Sequence, residues 1–121
     1  MASTGKTREL AEESEVNVAE ITSLTDTVLG LRLGTTTREQ LDRYVPRLAR
    51  ELSHLLGKDL GAEEDPEVQQ LVRRATELVD LGARPTVDTT TFGTFIYLRD
   101  LANQLRRLMW VYAARNELGT P

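Results

Sequence analysis

"TFIYLRDLANQLRRLMWVYAARNE", residues 94–117, carries four of the six aromatic residues of the chain, and its periodicity decides the fold. At the helical step of about 100° per residue, Leu98, Leu101, Leu105, Leu108, Met109 and Tyr112 fall on one side. That spacing predicts a helix whose apolar stripe is buried against other helices, with the Tyr112 hydroxyl turned toward an edge. Trp110 does not belong to the stripe: it lies about 140° from its centre. Ile96, Arg99, Asn103 and Arg106 share its side. The single tryptophan therefore keeps company with arginines, and Arg106, one turn earlier, is spaced to stack on its indole.

Three readings of this second face follow. The indole is covered within the chain, by the N-terminal segment or by the loop around Phe92. Alternatively, the line Ile96, Asn103, Trp110 is a homodimer seam, since tryptophan and arginine are favoured interface anchors. Or the face receives another protein or a small molecule.

Working outward, helical periodicity recurs three more times and strand alternation does not. A first helix is expected from an Asn17 N-cap, with Val18, Ile21, Leu24, Thr25, Val28 and Leu31 on one side and Gly30 and Gly34 weakening its end. A second begins at Thr36, where Thr36 and Glu39 have capping-box spacing, and stops at Gly57. Its stripe, Leu41, Tyr44, Val45, Leu48, Leu52, Leu55 and Leu56, stays in phase through Pro46, so one helix bent at Asp42–Pro46 is expected rather than two. Asp65 and Pro66 open a third, which Gly82 and Pro85 end. The loop "ARPTVDTTTFGT" leads to the last, starting between Thr91 and Phe95. Four amphipathic helices predict an all-α protein, an antiparallel four-helix bundle over residues 17–117. Residues 1–16 are expected to form an acidic, loosely attached or disordered tail, having almost nothing apolar to bury.

With 121 residues and no cysteine, the chain suits one domain without disulfides or thiolate metal sites. The net charge of -4 is unevenly spread. Residues 1–30 hold two basic and six acidic groups, residues 31–84 nine and ten, and residues 85–121 four and three. The acidic total disfavours nucleic acid as a partner. No apolar run approaches the roughly 20 residues that span a bilayer, and the N-terminus lacks the apolar core of a secretory signal. A cytoplasmic protein without membrane attachment is expected.

Gly5-Lys6-Thr7 ends like a phosphate-binding loop but lacks the preceding glycine and strand. Glu51 and His54 have the Glu-x-x-His spacing of di-metal bundles, which need two such motifs; this chain has one histidine, on a polar face with Arg43, Arg47 and Arg50. One histidine without cysteine gives little basis for a nucleophilic site. Glu63, Glu64, Asp65 and Glu67 surround a helix N-terminus, where they favour the helix dipole. Arg43, Arg47 and Arg50 read as a solvated face with an Arg47–Glu51 pair. The segment from Gly57 to Asp65 is too long for a helix-turn-helix. No cofactor and no metal site is expected.

"TREQLDRYVPRLARELSHLLGKDL" (37–60) and "RRATELVDLGARPTVDTTTFGTFIYLRDLANQLRRLMWVYAARNE" (73–117) resemble a family of small all-helical actinobacterial proteins of unknown function, often labelled natural-product-biosynthesis proteins. The resemblance extends over about residues 18–117. Family members commonly end the last helix with a Cys-Asp-His-Tyr-like segment, of which "MWVYAARNE" retains only Tyr112, so no catalytic residue carries over. The resemblance implies a bacterial protein with an accessory role in a pathway.

Together these readings favour a non-enzymatic interaction or regulatory module acting on a protein partner or on itself, through Ile96, Arg99, Asn103, Arg106 and Trp110. The alternative is a small-molecule-binding or catalytic bundle with Tyr44, Tyr97 and Tyr112 around a pocket. A DNA-binding regulator is third.

Overall fold

A computed structural model describes residues 16–116, and among them there are four α-helices and no strand. They are α1 (Val18–Leu29), α2 (Arg38–Leu56), α3 (Pro66–Val79) and α4 (Thr91–Arg115), with single 3-10 turns at Leu33–Thr35 and Leu81–Ala83. Each start is fixed by an acceptor side chain on an otherwise unpaired backbone N–H. Asn17 accepts from the Glu20 amide, Thr37 from Gln40, Asp65 from Glu67 and Thr90 from Gly93. Pro66 adds a preset first turn to α3.

Two boundaries differ from the sequence expectation. The capping box of α2 is Thr37 with Gln40, one residue later than Thr36 with Glu39. The Thr36 hydroxyl is committed backwards, donating to the Arg32 carbonyl at 2.7 Å, and its side chain is buried. At the end of α3, Asp80 makes the stop before Gly82: its backbone is extended and its carboxylate accepts from the Gly82 amide at 2.8 Å. The helix α2 runs unbroken through Pro46. Gly57 follows it, its N–H donating to the Ser53 and His54 carbonyls.

Side-chain ties give the directions. Arg38, opening α2, donates to the Thr86 and Thr89 carbonyls just before α4. At the far end Arg115 pairs with Asp59 at 3.2 Å. So α2 and α4 run parallel. The Thr22 hydroxyl reaches the Met109 sulfur, and Arg99 donates to the Leu29 carbonyl, which makes α1 antiparallel to α4. Arg74 with Asp100, and Tyr97 with the Leu78 carbonyl, make α3 antiparallel to it as well. The result is an up-down-up-down four-helix bundle.

Within it α4 packs on all three other helices, most extensively on α2. Its stripe Leu98, Leu101, Leu105, Leu108 and Met109 is sealed from solvent, facing Leu41, Leu48, Leu52 and Leu55 of α2 in one core. Burying each such side chain stabilises the fold by about 1.5–3 kcal/mol. By contrast α1 and α2, though consecutive, touch sparingly and leave a groove between them. Val16, assigned from sequence to the tail, is buried in the core. The rest of the expected tail lies outside the described residues. No described helix is long and apolar enough to cross a membrane.

Candidate interaction surface

With α1 on one flank of α4 and α3 on the other, the side opposite α2 is left uncovered among the described residues. This follows from phase: Met109 and Arg99 turn toward α1, Tyr97 and Asp100 toward α3, and the sector between them meets no described helix. Trp110 stands in that sector with 43% of its surface exposed, and Ile96 is equally open. Asn103, midway between them, is exposed too. The Arg106 guanidinium lies 4.9 Å from the indole centroid, the stacking its spacing predicts.

Arg99 is used differently. It stacks over Phe95 at 5.7 Å and donates to the Leu29 carbonyl at 3.3 Å, closing the last turn of α1. Of the five residues assigned to this face, Arg99, though partly exposed, is tied to Phe95 and to the Leu29 carbonyl of α1, while the other four are open to a partner.

Phe92 was missed as a member of the face. Because α4 begins at Thr91, Phe92 is helical, and it falls at the same phase as Trp110, 59% exposed. Its distance along the axis, about 27 Å, also removes the loop around Phe92 as a cover for the indole. Cover by residues 1–15 lies outside the described structure. Arg107, exposed on the α3 flank of the same face, was likewise not singled out. Both were legible once the helix start was fixed, since the wheel then gives their phase.

The three tyrosines do not meet. Tyr97 and Tyr112 are about 22 Å apart along α4. The Tyr97 hydroxyl donates to the Leu78 carbonyl in the last turn of α3. Burial holds this phenol above its usual titration range, opposed by the charge of Arg84. Tyr112 packs half-buried against the core. Tyr44 lines a concavity, the α1–α2 groove, with Arg43 and Arg47.

The Arg47–Glu51 pair expected from spacing is not formed; Arg43 pairs instead with Glu39 at 3.2 Å and Arg38 with Asp42 at 2.9 Å. Among the described residues, no three of the His, Asp and Glu side chains gather as a metal site would require. The carboxylates before α3 have structural tasks: Asp65 caps the helix and Glu64 lies 3.8 Å from Arg115. Asp59 is held below the usual carboxylate range by the Gly61 amide and then by Arg115.

No known family, curated protein or solved structure matches the chain.

Proposed function

We propose that the protein is a non-enzymatic helical module that self-associates through the outer face of α4. The observation that carries this is the half-exposed Trp110, braced by Arg106, in line with Ile96 and Phe92 on an otherwise solvated helix side. An indole left open in this way marks an interface more readily than a core. The spacing also suits a two-fold pairing. Ile96 and Trp110 are each seven residues from Asn103. An antiparallel α4–α4 contact centred on Asn103 therefore sets Ile96 of one copy against Trp110 of the other, twice. On the α3 flank, the same symmetry brings Arg107 of one copy to Asp100 of the other, a carboxylate that also pairs with Arg74 of its own chain at 3.4 Å. The asparagine pair at the centre fixes the register, as a single polar residue does in helical seams.

Charge exchange tests the pairing. Arg107→Glu is expected to weaken self-association by about tenfold, and Asp100→Arg likewise, from loss of a charged contact and gain of a like-charge one. The double exchange restores it. Sedimentation equilibrium reads all three; a double variant no better than the singles rejects this geometry. The resemblance to natural-product-biosynthesis proteins supports an accessory or regulatory role for such a module in a bacterial pathway.

A further inference from the structure

The groove between α1 and α2 is independent of the α4 face. Near its Leu31 end it has a volume of about 230 Å³ and is lined by Leu31, Gln40, Arg43, Tyr44 and Arg47. What these side chains offer is nearly uniform. Arg43 and Arg47 present guanidinium groups, one helical turn apart. The Gln40 amide oxygen is already taken by the Thr37 N–H at 2.8 Å, which leaves its NH₂ to donate. Tyr44 supplies a phenol O–H, and no carboxylate lines this end. Leu31 and the Tyr44 ring, both packed on the core, form an apolar bed beneath the donors.

Arg47 makes no ion pair among the described residues, although it lines all three segments of the groove. Arg43 is engaged only by Glu39, in a pair whose members are 74% and 79% exposed and so weakly held. The opposite end is charge-balanced: Glu20 and Glu51 stand there beside Arg47 and Arg50. An anion is thereby directed to the Leu31 end. Two guanidinium groups, an amide N–H and a phenol lining one groove with an apolar floor are a donor set suited to a planar or tetrahedral oxyanion on a small hydrophobic body.

We infer that the Leu31–Arg47 end of the α1–α2 groove binds a small organic oxyanion, a carboxylate or phosphate monoester carried on an aromatic or aliphatic body, with Arg47 as its anchor. The test uses the full chain and three probes, benzoate, phenyl phosphate and inorganic phosphate, with neutral benzamide as control, followed by amide chemical shifts. Saturable shifts at Leu31, Gln40 and Tyr44 are expected from benzoate or phenyl phosphate and not from benzamide. The tighter of the two identifies the anion source, and inorganic phosphate alone reads the headgroup without the apolar body. Arg47→Gln is expected to weaken binding by about tenfold, the loss of one charge-assisted contact. Arg73→Gln, an exposed arginine on α3, leaves it unchanged. Because Arg47 is exposed, its replacement keeps the fold, which circular dichroism checks. No saturable shift at millimolar anion, equal shifts from benzamide, or an Arg47→Gln affinity equal to that of the parent overturns the assignment.

Discussion

Tyr97 and Gly61 are single residues on which local geometry depends. The Tyr97 hydroxyl donates to the Leu78 carbonyl, and burial raises its pKa above the ordinary phenol value of 10.0. Its folded-state pKa thus exceeds the unfolded one. The stability it contributes is fully present below about pH 10 and is lost as pH rises through the folded value. Tyr97→Phe should cost about 1 kcal/mol near neutrality and flatten the decline of stability above pH 10, measured by urea unfolding across that range. Gly61 has φ +76, and an added Cβ would stand 2.6 Å from an Arg115 guanidinium nitrogen. Gly61→Ala is expected to lose about 1–2 kcal/mol from backbone strain, with displacement of Arg115 visible as a changed contact to Asp59. Neither role was legible beforehand. A tyrosine on a helix flank and a glycine in a charged linker are common, and only the approach of α3 and Arg115 gives them work.

At the scale of elements, much could be read from the chain because local signals and packing agree. The Asn17 cap, the Asp65–Pro66 start, the Gly57 stop and the continuity of α2 through Pro46 all stand as expected. The capping box slipped by one residue because three threonines in succession offer the same chemistry. The choice among Thr35, Thr36 and Thr37 is made by the buried Thr36 hydroxyl turning to Arg32. Thr37→Ala should therefore cost about 1 kcal/mol by thermal unfolding, whereas Glu39→Ala, with its exposed partner Arg43, costs at most a few tenths. The stripe of α4 was equally readable, since leucines at three- and four-residue steps admit one buried side. Its other side needed the structure: that α1 and α3 leave the sector of Trp110 open depends on how α2 and α4 share the centre of the bundle.

The molecule as a whole has one asymmetry. Three sides of α4 meet helices, and the fourth carries Phe92, Ile96, Asn103 and Trp110 to solvent. A bundle that needed only stability would place polar residues there. Since the indole is 43% exposed, Trp110→Ala should lower the stability of the single chain by about 1–3 kcal/mol and leave it folded. Its effect on assembly is expected to be larger. Multi-angle light scattering of the full chain at about 100 µM, a concentration that populates complexes with micromolar Kd, compares the parent with Trp110→Ala. A parent mass twice the 13.6 kDa of the chain is expected, with a folded variant at 13.6 kDa. A parent that elutes at 13.6 kDa, or a dimer that Trp110→Ala leaves intact, contradicts this.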